Sequence, residues 1–389
     1  MFLPFSSWLV SITGDPKLSL IRDGLIILLF LLSLVRLDWN LQHVRRLIFP
    51  GVFLLYGLLT FFWREASELQ WLRGIRFVLG PILLYFSLLN FDFKKSEKRL
   101  IYRYVLTGVA IISVVSILEF FGIKIPVTSK YSEDGSLSDI HRVGTLEIVR
   151  LKSILAGPNG LGLYLLAAIG FSLGAFKKIS PKLYLLAVIP VLLLLLTYSR
   201  SAFLGFLAML LVALGFYIKK KTDLKVALSV IALILSSFFC LLAVLYIFPR
   251  TQEFLTHNDS SKIRFQEYTR IWQTKGEIGL LGRGPGTAGP SSQNRLDYGP
   301  NHYTENIYLD IFEEFGYIGL ALYLALLLFS LFKILKHAGG VENYTAFLLF
   351  VAFGFAGIFI NYYTGQVGIF LFWLVSGLVV KDNHGKLTS

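Results

Sequence analysis

The stretch NHYTENIYLDIFEEFGYIGLAL, residues 301–322, changes from polar to apolar along its length. Its first fourteen residues carry histidine, asparagine and four carboxylates, and the rest leads into an apolar run that continues to about residue 335. A run of this kind is fit to enter a bilayer, whose hydrocarbon core is roughly 30 Å thick. We therefore expect a membrane helix whose acidic outer end needs partners at the membrane boundary.

The rest of the chain repeats such apolar runs. It has 389 residues, of which 55% are hydrophobic and 16% charged. We predict an all-α integral membrane protein with about eleven transmembrane helices, in one polytopic domain over residues 1–389. The predicted spans are 24–36, 47–63, 77–91, 104–123, 153–176, 183–197, 201–218, 225–247, 315–335, 344–360 and 366–380. The opening MFLPFSSWLVSI is too short to span, so we interpret it as interfacial.

Basic residues set the expected orientation, because short cytoplasmic loops collect Lys and Arg. Alternate connections between the predicted spans carry Arg36, Arg45, Arg46, Lys94, Lys95, Lys98, Arg99, Lys177, Lys178, Lys182, Lys219, Lys220, Lys221, Lys333 and Lys336. Their clustering places the two longest hydrophilic segments on the outer face. We predict that 248–306 forms a large helical cap and that 124–152 forms a smaller outer loop.

The net charge of +13 is mainly a topology signal, and no nucleic-acid-binding module appears in the sequence. The outer segments are nevertheless basic as well. They carry Lys124, Lys130, Arg142, Arg150, Lys152, Arg250, Lys262, Arg264, Arg270, Lys275, Arg283 and Arg295. The positive-inside rule does not account for these residues, so they indicate an anionic ligand on the outer side. The single Cys240 can form no intrachain disulfide.

Arg200 lies in TYSRSAFLGFLAML, residues 197–210, between two apolar runs and beside Tyr198. An arginine at the centre of a membrane helix costs roughly 2.5–3.5 kcal/mol on insertion scales, so Arg200 needs a partner or must reach the interface. One interpretation is a tight turn whose arginine binds lipid phosphate. The other is a buried clamp for a diphosphate, since the guanidinium offers a fixed fork of donors.

The sequence KIRFQEYTRIWQTKG, residues 262–276, predicts a cap helix with Ile263, Tyr268 and Ile271 or Trp272 on one side. It also carries Arg264 and Arg270, and for either arginine alone a solvated helix face is the alternative.

The turn-rich segment LLGRGPGTAGPSS, residues 280–292, contains Arg283 and a match to G-x-G-x-x-G. Prolines interrupt the match and no strand precedes it, which excludes a dinucleotide site. A plain turn and a nest of backbone N–H groups that binds an anion both remain open, and the plain turn is favoured.

A helix that begins near Glu305 presents one polar face, formed by Asn306, Asp310, Glu313 or Glu314, and Tyr317. Glu305 then lies in the first turn, where the helix dipole favours a carboxylate, and this is the simpler interpretation. The deeper carboxylates need partners, for which the outer arginines are candidates. The six histidines show no ligand spacing, so we predict no metal site, and no G-x-S-x-G elbow indicates serine hydrolysis.

Four segments together resemble the O-antigen ligase and polymerase superfamily, bacterial membrane enzymes that move glycans off undecaprenyl diphosphate. They are RLKSILAGPNGLGLYL (150–165), TYSRSAFLGFLAML (197–210), SSKIRFQEYTRIW (260–272) followed by LLGRGPG, and ENIYLDIFEEFGYIGL (305–320). The resemblance covers roughly residues 70–380. It implies a GT-C-like fold in the bacterial inner membrane with a periplasmic active site. It also implies an undecaprenyl-diphosphate-linked oligosaccharide donor, a glycan acceptor and no cofactor. Membrane lipids, a flippase and chain-length regulator proteins are the expected partners.

The family's Arg-x-x-x-Leu pattern falls on Arg200 and Leu204, and its second functional arginine falls on Arg264. A ligase of this family has a histidine where this chain has Glu305. His302 stands three residues earlier and is out of register. This departure resembles a polymerase, whose acceptor is another lipid-linked repeat unit, more than a ligase.

The resemblance thus implies a metal-independent, inverting glycosyltransferase in which Glu305, Arg200 and Arg264 are catalytic. The candidate substrate-binding residues are Asn306, Asp310, His302, Arg270, Arg283, Tyr198, Arg150 and Asn159. An O-antigen ligase remains the nearest alternative. A lipid or ion transporter, with Arg200 and the 310–314 carboxylates as a gating network, is the alternative from another class. An inactive scaffold of an export complex is a third.

Overall fold

The computed structural model describes residues 18–37, 40–123, 140–143, 146–155, 157–176, 184–221, 258–292, 302–336, 341–363 and 367–379. The helices in these ranges are α1 (Ser19–Val35), α2 (Leu41–Leu59), α3 (Glu68–Leu89), α4 (Lys95–Phe120), α5 (Pro158–Phe176), α6 (Tyr184–Leu196), α7 (Arg200–Lys221), α8 (Asn258–Ile278), α9 (Gly289–Ser292), α10 (Ile307–Lys336), α11 (Val341–Ala356) and α12 (Val367–Val379). A 3-10 turn, Thr60–Phe62, follows α2. Strands β1 (Ile140–Val143) and β2 (Leu146–Val149) pair antiparallel within the segment 124–152, which the sequence predicts to be the smaller outer loop.

The predicted apolar runs coincide with helices wherever the structure describes them, which confirms a helical membrane protein. Within the described residues, four helices are long and apolar enough to cross a membrane, over His43–Phe62, Glu68–Leu89, Lys95–Phe120 and Ile307–Lys336. Shorter apolar helices occupy Pro158–Gly174, Arg200–Gly215, Val341–Ala356 and Val367–Val379. The predicted run 225–247 lies outside the described residues. The total of eleven spans and the GT-C-like arrangement stay predictions.

Large aromatic residues fill the core between the helices, among them Tyr85, Phe171 and Trp373. The rings of Tyr85 and Trp373 lie 4.9 Å apart. Small residues bring helices close together: a Cβ added at Gly205 of α7 would lie 2.7 Å from the carbonyl oxygen of Ala352 in α11. Lipid provides little hydrophobic drive for helix association, so close packing of this kind stabilises the bundle.

Helix α10 is broken at Gly316, whose φ is 69° and whose ψ is −169°. Glycine suits this conformation because it has no Cβ. The turn-rich segment pairs with the backbone groups that the break leaves free. On one side the Arg283 amide donates to the Glu313 carbonyl at 2.9 Å, and on the other the Ile318 amide donates to the Leu280 carbonyl at 3.1 Å. An interrupted helix is tolerated at membrane depth where the protein satisfies its backbone in this way.

The turn-rich segment also packs tightly against α3. A Cβ added at Gly74 would lie 2.1 Å from the backbone nitrogen of Gly286. The buried Gln70 side-chain amide donates to the carbonyl oxygens of Gly286 at 3.0 Å and Ser291 at 2.6 Å. The segment is therefore held between α3 and α10.

The predicted cap helix α8 packs on the N-terminal part of α10, where Ile271 and Ile278 contact Phe312. Ile271 is 3% exposed and its neighbour Trp272 is 70% exposed. Of the two residues proposed for the packed side, Ile271 is therefore the one that packs. The side chain of Ile263 lies outside the described part of the chain. This packing sets which cap residues face the start of α10.

Candidate active site

Helix α10 begins at Ile307, and Asn306 caps it. The Asn306 Oδ1 atom accepts hydrogen bonds from the amides of Tyr308 at 2.9 Å and Leu309 at 3.2 Å. Asparagine is a preferred N-cap because its side chain satisfies amides that have no partner within the helix. The expected start near Glu305 is thus corrected, since Glu305 precedes the cap and is not part of the first turn.

Three non-glycine residues in the described chain have a positive φ, namely Ser153 at 55°, Tyr198 at 52° and Glu305 at 53°. This backbone region is sparsely populated for residues with a side chain, and such residues cluster at functional sites. Each of the three lies in a segment that carries candidate site residues. The observation favours a site built from these segments.

Arg264 of the cap helix forms an ion pair with Glu305. Its Nε and one of its terminal nitrogens both contact the same Glu305 oxygen, Oε2. The side chains of Arg264 and Glu305 are 21% and 25% exposed. The pair is thus half-buried and open enough for a ligand to reach.

Two further arginines act on this pair. Arg200, at the first position of α7, lies within electrostatic range of both Arg264 and Glu305. Arg150 lies within range of Arg200 and Glu305. We call Arg150, Arg200, Arg264 and Glu305 the Glu305 cluster. Its four side chains carry three positive charges and one negative charge, so a second anion is favoured there.

Arg150 is held by the turn between α6 and α7. Its Nε donates to the Thr197 carbonyl at 3.0 Å, and one terminal nitrogen donates to Asn159 Oδ1 at 3.2 Å and to the Tyr198 carbonyl at 3.5 Å. Burial lowers the pKa of the Arg150 guanidinium, the neighbouring Arg200 lowers it further, and Glu305 opposes both. The predicted residues Asn159 and Tyr198 therefore position Arg150 within the cluster.

The deeper carboxylates of α10 are engaged within the protein. Asp310, Glu313 and Glu314 are 2%, 0% and 3% exposed. Asp310 accepts hydrogen bonds from the Thr304 hydroxyl at 2.9 Å and from the Asn361 amide at 2.6 Å. Because their oxygens are satisfied internally, these side chains build the framework beneath the cluster, and Asp310 does not line its open part.

A second ion-pair network surrounds Glu313. Arg270 binds its two oxygens with hydrogen bonds of 2.8 and 2.7 Å, and an Arg283 nitrogen lies 3.7 Å away. Arg270 also pairs with Glu267 at 2.9 Å. Burial would lower the pKa of Arg270, but the hydrogen bonds and charges of its carboxylate partners raise it. We call Arg270, Arg283, Glu267 and Glu313 the Glu313 network.

His302 belongs with the Glu313 network. The charges that act on its ring are those of Glu313, Arg270, Glu267 and Arg283, and burial lowers the pKa of the imidazole. The structure thus divides the predicted site residues into two groups. Arg150, Asn159, Tyr198, Arg200, Arg264, Glu305 and Asn306 come together, whereas Arg270, Arg283, His302 and Asp310 serve the framework or the second network.

The glycine-rich turn does form a nest of backbone donors, but a side chain of the protein occupies it. Glu314 Oε1 accepts from the Gly286 amide at 2.8 Å, the Ala288 amide at 3.4 Å and the Ser291 hydroxyl at 3.4 Å. Of the two interpretations left open by the sequence, the structural turn is therefore the better one.

Sequence reasoning missed two residues that support the cluster. Tyr268 stands one helical turn after Arg264, donates a hydrogen bond to the Ile358 carbonyl at 3.3 Å and lies within electrostatic range of Arg264 and Glu305. The spacing of four residues places Tyr268 and Arg264 on the same face of the helix, so the sequence alone could have indicated that they lie together. Asn361 holds Asp310 from a distant part of the chain, and no local pattern indicated it.

Within the described residues, no three His, Cys, Asp or Glu side chains are grouped so that they could hold a metal ion. A cavity of about 10 Å³, room for one water molecule, lies beneath the cluster between Asp310, Glu314, Asn361 and Tyr363. It is too small for a sugar and belongs to the framework.

The region that holds most of this geometry matches a known family. A family model described as O-Antigen ligase matches residues 185–324. Over these residues the chain is similar to the O-antigen ligase and polymerase superfamily. The match supports the resemblance for the three segments that lie within it, whereas residues 150–165 lie outside it. Glycan transfer is the activity of the family. No curated protein matches the sequence.

The match to this superfamily covers the cluster unevenly. Arg200, Arg264 and Glu305 lie inside residues 185–324, and so does the break at Gly316. Arg150 lies outside, and its place in the cluster is seen only in the folded chain.

Proposed function

We propose that this chain transfers a glycan from an undecaprenyl-diphosphate-linked donor to a sugar hydroxyl on the periplasmic side of the bacterial inner membrane. The observation that carries the proposal is the Glu305 cluster, in which three guanidiniums act on one carboxylate just before the N-terminus of a helix that can cross a membrane. Guanidiniums bind phosphate oxygens through paired donors. A carboxylate close to the same anion can take the proton from the hydroxyl of the acceptor.

In the proposed step, the acceptor hydroxyl oxygen attacks the anomeric carbon of the donor sugar. The bond between that carbon and the diphosphate oxygen breaks, and the diphosphate leaves with its polyprenyl chain. The hydroxyl proton passes to the Glu305 carboxylate, which is within general-base reach once the acceptor binds beside it. A single direct displacement inverts the configuration of the anomeric carbon.

The arginines stabilise the leaving group. Negative charge grows on the diphosphate as the bond breaks, and positive charges that are already in position favour that change most. Arg264 can contact Glu305 and the diphosphate at the same time, because its guanidinium has five N–H donors. Arg150, which precedes α5, and Arg200, at the start of α7, add two further positive charges. The donor is already activated by its diphosphate, so the proposal requires no cofactor, and these three cations take the electrostatic role of a metal.

We favour a polymerase over a ligase. The position at which a ligase of the superfamily is expected to carry histidine holds Glu305, and His302 lies with the Glu313 network. The acceptor of a polymerase is the sugar of a second lipid-linked repeat unit, whereas a ligase uses a lipid A-core or another acceptor. The substitution at this position supports a different acceptor from that of the ligase.

The test uses purified protein in lipid nanodiscs that contain lipid-linked repeat units and no ion gradient. We expect lipid-linked glycans of increased length, detected by mass spectrometry. Product that forms only when a lipid A-core acceptor is added would overturn the polymerase assignment in favour of a ligase. An absence of product, together with gradient-driven flux in proteoliposomes, would favour the transporter and overturn glycan transfer.

Variants test the site in cells. Arg200→Ala, Arg264→Ala and Glu305→Ala should each abolish or strongly shorten the surface glycan. Lys262→Ala removes an exposed cation from the same cap helix and is the matched control, which should leave chain length unchanged. Unchanged chain length in all three site variants would disprove the catalytic assignment.

A further inference from the structure

The cap helix α8 has an exposed face that its packing on α10 does not explain. Phe265 and Trp272 are 72% and 70% exposed and stand seven residues apart, so they lie on one face of the helix. Thr269 and Gly276 are exposed at the helical spacing between and beyond them, and Leu280 follows at 65% exposed. We call these five residues the cap stripe.

The cap stripe continues into the lipid-facing surface of α10. Leu280 is joined to α10 through the hydrogen bond from the Ile318 amide to its carbonyl. Beyond the break, α10 exposes residues at helical spacing: Tyr317 at 48%, Leu324 at 41%, Leu328 at 64%, Phe332 at 61% and Leu335 at 51%. These belong to a helix that is long and apolar enough to cross a membrane. One apolar surface therefore runs from the membrane helix onto the cap.

Charges beside the cap stripe match a phospholipid surface. Lys275 places its Nζ 3.6 Å from the centre of the Trp272 ring, and Lys262 is exposed near the start of the helix. Two acidic residues of α8 are paired with arginines, Glu267 with Arg270 and Glu277 with Arg283. Tryptophan with neighbouring lysine is typical of the membrane–water interface.

We infer that α8 is a membrane-surface helix whose cap stripe docks in the headgroup region of the outer leaflet. Three faces of the helix then have separate roles: Ile271 and Ile278 contact α10, the stripe contacts phospholipid, and the face with Gln266 meets water. Docking places Arg264, the neighbour of Phe265, at the depth of lipid phosphate. That consequence rests on the proposed function, whereas the docking itself does not.

The experiment measures the depth of single labels in the full chain in nanodiscs of phosphatidylethanolamine and phosphatidylglycerol. Cys240→Ser removes the only cysteine, and Trp272→Cys, Phe265→Cys, Gln266→Cys and Leu328→Cys each add one for a spin label. Collisions with oxygen report lipid, and collisions with a water-soluble nickel chelate report water. Leu328 is the lipid reference, and Gln266 is the matched exposed position on the same helix.

We expect the oxygen-to-nickel collision ratio at positions 265 and 272 to be several-fold higher than at 266 and to approach that at 328. Ratios at 265 and 272 equal to that at 266 would overturn the inference. Labels that are accessible to nickel until lipid-linked oligosaccharide is added would show that the stripe is a sugar platform. Spin–spin broadening between two copies would show that it is a dimer interface. A Glu305→Gln chain that loses transfer should keep the same ratios, which separates this test from that of the proposed function.

Discussion

Two arginine–glutamate pairs connect the cap helix with the start of α10, and they differ in burial. Arg264 pairs with Glu305, whose side chain is 25% exposed, whereas Arg270 pairs with Glu313, whose side chain is 0% exposed. The residue types are the same, and both arginines come from α8. A ligand can reach the first pair, which we call the half-open pair. Burial of Glu313 against α10 keeps a ligand from the second, which we call the sealed pair.

This difference separates function from support. A sealed pair holds two elements together, because loss of either partner leaves an uncompensated charge in a site without water. A half-open pair contributes little to stability, since water screens it, but it is available for chemistry. The following predictions test whether the two pairs divide their roles in this way.

The largest expected effect is on stability, from Arg270→Gln. The variant removes both hydrogen bonds to the fully buried Glu313, and we expect the free energy of unfolding to fall by about 3–5 kcal/mol. A denaturant titration in detergent measures it. Arg264→Gln is the matched control, for which a loss of about 1 kcal/mol or less is expected. Equal losses would remove the distinction between the pairs.

Next is an effect on activity, from Glu305→Gln. The amide keeps the size of the side chain and can still accept a hydrogen bond from Arg264, but it cannot take a proton. We expect kcat for glycan transfer to fall by about 100-fold or more, with an unchanged unfolding midpoint. Glu267→Gln changes a carboxylate of similar exposure, 22%, in the Glu313 network and should retain activity. A fully active Glu305→Gln variant would contradict the role of Glu305 as base.

A smaller loss of stability is expected from Gly316→Ala, at the break that precedes the membrane part of α10. The added Cβ would lie 2.3 Å from the Leu280 carbonyl oxygen at a φ of 69°. We expect the free energy of unfolding to fall by about 2 kcal/mol. Gly354→Ala, in α11, is the control, because its Cβ would meet nothing closer than the Tyr308 hydroxyl at 3.9 Å. If both variants were equally stable, the break would not be fixed by this contact.

The smallest expected effect is on the pH dependence of stability, through His302, which lies among the charges of the Glu313 network. Burial lowers the pKa of His302 below its ordinary value of 6.5, so folding disfavours the charged ring. The contribution of the neutral His302 ring to the free energy of unfolding is complete above the unfolded-state pKa of 6.5. It is lost as the pH falls from 6.5 through the lowered pKa of the folded protein. His302→Gln should flatten the decline of unfolding free energy between neutral pH and about pH 5. Glu305→Gln should leave the His302 part of the slope in place, and an unaltered slope in His302→Gln would show that the ring does not carry it.

The sequence predicted much of the framework. Long apolar runs indicate membrane helices because the bilayer requires them, and the described helices coincide with those runs. It also indicated Arg200, Arg264 and Glu305 as one group, through residue patterns typical of a family. Their catalytic roles remain predictions, but the fold brings the three side chains into one electrostatic cluster.

The sequence was less informative about which side chains contact one another in the folded protein. It suggested one polar face on α10, yet Glu314 fills a backbone nest and Tyr317 lies beyond a break in the helix. It also assigned His302 and Arg270 to the ligand, although both belong to the Glu313 network. These outcomes depend on contacts between segments far apart in the chain, which helical spacing does not contain.

By itself, the sequence determined that this is a membrane protein whose two longest hydrophilic segments are basic, because hydrophobic length and charge distribution are properties of the chain. Only the tertiary structure decided which arginine meets which carboxylate. Arg264 and Arg270 lie on one short helix, and either could have been the open pair. The packing of Ile271 and Ile278 on Phe312, next to the break at Gly316, sets the position of that helix. That position seals Glu313 and leaves Glu305 accessible.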